Sequence, residues 1–354
     1  YTDNLHPDVI NLKDSDVYKN VFHKGKWAGV FQFTEKGAQA FCKRVKPKSI
    51  VDIAAITAIY RPGPLSANVH ELYVEAKQNP GKIRYGHDIV KEVTKETYGF
   101  LIFQEQIALL AHRLGKDFSL DEGNKLRKLL TKKGTGEVAQ EKLKLRVKFV
   151  EGCVEKGLTE EYAQSLWQKF EFFSGYGFNK SHAVSYSIIS YQCAWLLHYY
   201  PSEWVASFLD KEPESRKEKA MNIAKKFGFQ IKPVDINNSG TVWEISPDGS
   251  TLIQPLTSIK GLGEKAIEQI TLHRPFATVE ELLFHEEIVY SKLNKKAIDV
   301  LIRAEAMTTL IDERFKNLKH FWTVIADNRP KSRKKLNGLV EDHKDTEDFT
   351  RDEY

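Results

Sequence analysis

Cysteine is scarce in this chain: three among 354 residues, Cys42, Cys153 and Cys193, far apart and without CxxC spacing. That scarcity argues against a disulfide framework and against thiolate zinc sites, and it suits a reducing, cytoplasmic compartment. Long apolar runs are missing as well. No stretch reaches the length that spans a bilayer, and the amino terminus has no signal-peptide pattern, so a soluble, unexported protein with no membrane partner is expected. The first residue is Tyr1 rather than methionine, which fits a processed product or one piece of a longer polypeptide. No alternating apolar–polar stretch occurs before residue 230. The first large unit is therefore expected to be mostly α, in a chain long enough for two or three units.

Excess charge is also slight, with 53 Lys+Arg against 48 Asp+Glu for a net +5, and by itself this says little about partners. Its distribution says more. Lys125, Arg127, Lys128, Lys132, Lys133, Lys142, Lys144, Arg146 and Lys148 fall in one run, against only Glu137 and Glu141. Such a run can follow a phosphate backbone or a triphosphate; a solvated helix face is the plain alternative.

Helical spacing runs through Phe41, Val45, Ile50, Ile53, Ile56, Ile59 and Tyr60 up to a break at Arg61-Pro-Gly-Pro64. Further helices are predicted over 104–114, 120–130, 137–156, 160–173 and 181–200, with a short one over 203–209. The expected fold class is mainly α: a large helical domain followed by a small β hairpin and a helix-hairpin-helix domain. The boundaries read as an irregular lead-in segment 1–24 with the breaker signals Asn4, Pro7 and Asp14, a helical domain 25–210, a linker helix 211–228, a hairpin plus helix-hairpin-helix domain 229–326, and a charged, disordered tail 327–354. The hairpin is read from 241–246 and 251–254, joined by the turn signal Pro247-Asp-Gly249.

Two stretches carry chemistry. Gly175-Tyr-Gly-Phe-Asn-Lys-Ser-His182 couples a glycine–aromatic bend to a cationic helix start. Tyr176 and Phe178 offer flat apolar faces, Asn179 or Ser181 can cap the helix, and Lys180 and His182 stand in its first turn. A nucleoside triphosphate needs a stacking surface, a cation and hydrogen bonds; an ordinary capped helix would use the same residues for packing. Ile259-Lys-Gly-Leu-Gly-Glu-Lys-Ala266 has the form of a helix-hairpin-helix loop, in which freed backbone amides and a helix N-terminus hold a phosphate without reading sequence. Lys260, Gly261, Leu262, Gly263 and Lys265 are its candidate DNA contacts, and a plain αα turn is the alternative. Residues 292–302 look like the partner hairpin without glycines, serving packing more than contact.

Supporting motifs are Arg127 and Lys128 with Lys132 and Lys133 one turn on, Tyr98-Gly99 leading to Gln104-Glu-Gln106 through a buried strand or turn, and Arg61 before its proline-rich break. Capping is an equal reading for Gln104-Glu-Gln106. A rigid turn is a strong one for 61–65.

Taken in order, Gly29-Val-Phe-Gln32, Arg61-Pro-Gly-Pro-Leu65, Tyr98-Gly99 with Gln104-Glu-Gln106, Leu126-Arg127 with Lys132-Lys133, and Gly175–His182 resemble the fingers region of family C DNA polymerases, of the bacterial DNA polymerase III alpha-subunit type. The resemblance covers roughly 10–325, with 259–266 where that family carries its duplex-binding loop. Departures are Lys128 where a second arginine is common, Thr131 where glycine is usual, and Phe103 in place of tyrosine. Lysine keeps charge there but loses the bidentate fork.

The resemblance implies a fingers domain reached from a palm, binding incoming dNTP through Arg61, Arg127, Lys128, Lys132, Tyr176, Asn179, Lys180 and His182. His182 is placed near the sugar, to screen against a 2′-hydroxyl. It implies primer-template DNA, a palm-containing polymerase segment or subunit, and a sliding clamp as partners, although no clamp-binding peptide stands out in the tail. Mg²⁺ would serve the assembled enzyme. No Asp-x-Asp lies in an apolar strand context, so no catalytic or metal-binding residue is assigned to this chain, which alone is expected to be inactive. A non-catalytic DNA-binding accessory protein that kept these domains is the alternative.

Overall fold

The structure is a computed structural model and describes residues 5–132 and 135–350; Lys133 of the basic run lies outside them. Its contacts divide the chain into two compact units, 1–199 and 200–354. The molecule is mainly α, as expected.

In the first unit, Ser49 Oγ accepts from the Asp52 amide at 3.2 Å and starts the Ile50–Ile59 helix. This helix is apolar on every face, so it must be buried all round. It packs between Lys36–Val45 and Lys180–Tyr199, with Ile53, Ala54 and Ala55 fully buried. Its one charge, Asp52, is paired with Lys77 Nζ at 2.5 Å and accepts from the Lys48 amide at 2.8 Å, which offsets the cost of burying it. A second core joins the helices Gln104–Leu114, Leu120–Leu130, Glu137–Glu155 and Glu160–Ser174 around Leu110, Leu126, Phe149, Trp167 and Phe170.

Two local expectations change here. The lead-in is helical over 15–23 rather than irregular, because Val17, Tyr18, Val21 and Phe22 fall on one face and are buried. Arg61-Pro-Gly-Pro64 is more than a turn: Pro62 opens a short helix, Pro62–Ser66, where its fixed φ and missing N–H cost nothing.

The second unit begins with Pro201–Lys211. Ser202 Oγ donates to Gly249 O at 2.7 Å and Asp210 Oδ1 accepts from the Trp243 amide at 3.0 Å. These bonds tie the helix to the sheet, so the boundary falls at 199/200 rather than after residue 210. A helix, Glu214–Lys226, forms within the stretch 211–228 read as a linker, and it lies inside the second unit. Strands β1 (Gln230–Lys232), β2 (Glu244–Ile245) and β3 (Thr251–Ile253) make a sheet of order β1-β3-β2. The β2–β3 pair is the expected hairpin, with Asp248 Oδ1 accepting from Ser250 and Thr251 amides at 2.8 and 3.2 Å in its turn. β1 adds parallel to β3.

The helices Glu264–His273, Val279–Leu283, Lys295–Arg303 and Leu318–Trp322 close on Ile267, Ile270, Leu282, Leu293, Leu301 and Phe321. The segment expected to be a disordered tail holds the helix Arg333–Asp342. Ser332 Oγ caps it through the Lys335 amide, and Leu336 is fully buried with Leu339 and Val340 against the same core.

Candidate nucleotide and nucleic-acid sites

The Gly175–His182 bend is fixed by backbone pairing with the stretch before Gln104. Phe178 N donates to Ile102 O at 3.1 Å and Gln104 N donates to Phe178 O at 2.9 Å, a single parallel bridge between Phe103 and Phe178. Gln104 Nε2 adds a bond to Gly177 O at 2.9 Å. The start of one helix therefore cradles the start of another. Glu105 completes the cradle by accepting from Asn179 Nδ2 and from the Lys180 amide, each at 2.9 Å. Asn179 Oδ1 in turn accepts from Ser181 Oγ and the His182 amide, each at 2.8 Å, as the predicted cap.

Three of the nominated cations meet this bend. Arg61 donates to Tyr176 O at 2.5 Å and to Ala58 O at 2.8 Å, and its guanidinium sits 4.6 Å from the Phe178 ring centre. Burial lowers its pKa from the ordinary value. Its observed work is to hold the bend. The Tyr176 ring lies so close to Gly63 that a Cβ there would come within 2.3 Å of it, which is why that position has no side chain. Arg127 donates to Gln104 Oε1, yet its buried Nε has no acceptor among the described residues. An unsatisfied buried N–H is costly, and an anion beside Arg127 would relieve it.

Lys180 Nζ forms an ion pair with Glu96 at 2.8 Å and lies 5.7 Å from the Phe103 ring centre. A phosphate must displace that carboxylate to reach the ammonium. His182 is exposed, and its ring packs at a tilt 4.2 Å from Tyr186 and 5.6 Å from Phe178. Lys128 and Lys132 are exposed and make no side-chain bond to the bend among the described residues. Their helix end is nonetheless beside it, since Ser174 Oγ donates to Leu130 O at 3.1 Å. Elsewhere in the basic run, Lys148 is paired with Glu122 at 2.9 Å.

Glu96, Gln104 and Glu105 are the partners that the sequence leaves undefined. Their sequence distance from the motif hides them, although the polar triplet 104–106 was visible. Asp14-Ser-Asp16, the single Asp-x-Asp of the chain, is used structurally: Asp14 accepts from the Asp16 amide at 2.9 Å and from Tyr199 OH at 2.6 Å.

In the second unit, Gly261 adopts φ +91°, a conformation that favours glycine, and the Leu262 amide closes the turn onto Ile259 O at 3.1 Å. Gly263 caps the Glu264–His273 helix at φ −82°, with open space where a Cβ would stand. Leu262 anchors the loop in the core while Lys260, Gly261, Gly263 and Lys265 are exposed. Lys296, on the helix assigned to packing, brings its Cε within 4.0 Å of the place a Gly261 Cβ would take. It joins the loop's cations, a contact the sequence did not reveal.

Residues 1–157 match the family described as bacterial DNA polymerase III alpha subunit finger domain, and residues 228–317 match a helix-hairpin-helix motif. The chain is 36% identical over 303 residues to the DNA polymerase III subunit alpha of Aquifex aeolicus, covering 83% of this chain and 25% of that protein. It is 33% identical over 344 residues to that of Borreliella burgdorferi, 94% and 29% respectively. It is 30% identical over 333 residues to that of Pseudomonas aeruginosa, 91% and 28%. The chain thus spans roughly a quarter of the length of the curated relatives it matches.

Proposed function

Since this chain belongs to the bacterial DNA polymerase III alpha-subunit family through its finger and helix-hairpin-helix regions, we propose that it is the fingers and duplex-binding portion of a replicative DNA polymerase. The first unit receives the incoming dNTP. The second grips primer-template DNA through phosphates.

The observation that carries the nucleotide assignment is the cradle itself: an exposed His182 and two cations, Arg127 and Lys180, gathered at one helix start, with Arg127 Nε lacking an acceptor among the described residues. A triphosphate placed there satisfies that donor and exchanges with Glu96 for Lys180, countering charge that builds on the leaving pyrophosphate. His182, braced on Tyr186, occupies space beside the sugar.

Polymerases of this kind use divalent metal ions, and Mg²⁺ is assigned to the assembled enzyme. Among the described residues no group of three His, Cys, Asp or Glu converges to hold a metal ion, so the residues here do not fit that role. The ligands are assigned to a palm-containing segment or subunit. Single-turnover incorporation by the assembled polymerase tests the site. Lys180→Ala should slow the step or weaken dNTP binding by about tenfold to a hundredfold, one charge-assisted phosphate contact, with binding to primed DNA unchanged. A smaller residue at His182 should relax discrimination against ribonucleotides. Equal rates for wild type and both variants would overturn the site and favour an accessory role limited to DNA binding.

A further inference from the structure

A cavity of about 540 Å³ opens in the first unit, away from the dNTP cradle's own cations. Phe100, Phe172 and Phe173 form its aromatic wall and Lys82, Arg84 and Lys169 stand around it. All three cations are exposed, and none has an ion pair or side-chain hydrogen bond among the described residues. One carboxylate, Glu75, also lines the cavity, which leaves three cations against one anion. Unpaired cations beside open aromatic faces are the chemistry that holds unpaired nucleotides: the base stacks, the phosphate meets charge, and no sequence is read.

The aromatic surface continues beyond the cavity. Phe172, 47% exposed, sits 5.3 Å from Phe173 on one side and 5.5 Å from Tyr176 on the other. About half of Phe172 stays open to solvent beside Phe173 and Tyr176, a face on which an unpaired base can stack.

We propose that the cavity is a second nucleic-acid site, which takes a nucleotide of an unpaired DNA strand with its base against Phe172 and its phosphate among Lys82, Arg84 and Lys169. The site uses neither Arg127, Lys180 nor His182. It stands apart from the dNTP assignment, and the two fail in different experiments.

Fluorescence anisotropy of the chain with labelled oligothymidylate of about twelve nucleotides tests it, within the range of lengths such sites cover. Phe172→Ala should weaken binding about tenfold, the loss of one stacked base, while Phe172→Trp retains it and thermal melting stays unchanged. Replacing Lys82, Arg84 and Lys169 together by glutamine should flatten the slope of log K against log salt by roughly 2, at about 0.7 per single-strand phosphate contact. Duplex binding should be unaffected by either change. Unchanged oligothymidylate affinity and slope in both folded variants would overturn the proposal. So would thymidine monophosphate that competes at the same nucleotide concentration as the oligomer, because that would make the cavity a mononucleotide site.

Discussion

Gln106 illustrates how one buried amide shapes the site without entering it. Its Oε1 accepts from the amides of Ile102 and Phe103 at 2.8 and 2.9 Å, and its Nε2 donates to Thr97 Oγ1 at 2.8 Å and Val93 O at 3.2 Å. Those bonds set the stretch that pairs Phe103 with Phe178. Gln106→Leu keeps the volume but strands two backbone donors, so a loss of roughly 2–4 kcal/mol is expected in chemical denaturation. Phe103 and Phe178 should lose their mutual order with it. Stability within about 0.5 kcal/mol of wild type would show that water or a shifted backbone replaces the amide. At this scale the sequence announced the polar triplet and left capping open, and capping is what Gln106 does. Glu105 caps as well, but on a helix 75 residues away. The pairing of Lys180 with Glu96 was equally invisible, because each carries an ordinary surface charge in its own segment.

At the scale of elements, the two glycines of the helix-hairpin-helix loop, alike in the sequence pattern, have separate roles. Gly261 is needed by the backbone, at φ +91°, so Gly261→Ala should cost about 1–2 kcal/mol of stability whatever the loop binds. Gly263 has an ordinary φ and empty space around a would-be Cβ. A fold that needed only a turn would tolerate a side chain there. Gly263→Ala should therefore leave the melting temperature nearly unchanged while it weakens duplex DNA binding about fivefold to tenfold, by holding a phosphate away from the loop amides. Electrophoretic or anisotropy titration of a duplex would measure it, and equal affinity for wild type and Gly263→Ala would leave the loop a plain turn.

Most long helices were legible because their apolar spacing is regular and their ends carry caps and breakers, as at Ser49 and Pro201. The hairpin was legible from its Pro-Asp-Gly turn. Pairing of β1 with β3, and of Phe103 with Phe178, joins segments whose partners no local pattern names. The Arg333–Asp342 helix was missed because its charged composition outweighs a narrow stripe of Leu336, Leu339 and Val340. The lead-in helix was missed because Asn4, Pro7 and Asp14 read as breakers, although Val17, Tyr18, Val21 and Phe22 already lay at helical spacing.

For the molecule as a whole, the decisive quantity is how little of its relatives it spans, roughly a quarter of their length. Phosphoryl transfer in a polymerase depends on metal ions that clamp the attacking and leaving oxygens, and the side chains that hold such ions must converge within one site. Here the single Asp-x-Asp serves a helix cap and a tyrosine, while Lys180 is paired with Glu96 and Arg127 with Gln104, the two cations proposed to meet phosphate. The purified chain, given Mg²⁺, four dNTPs and primed template, is expected to bind duplex but not extend the primer. Binding alone should be steeply salt-sensitive: if Lys260, Lys265, Lys296 and the loop amides engage about four phosphates, log K should fall against log salt with a slope of roughly −3 to −4. Supplying a palm-containing segment from a relative should restore extension, and Lys180→Ala should then reduce it. Robust extension by the chain without that segment would place the chemistry on its own residues and overturn the division of labour proposed for it.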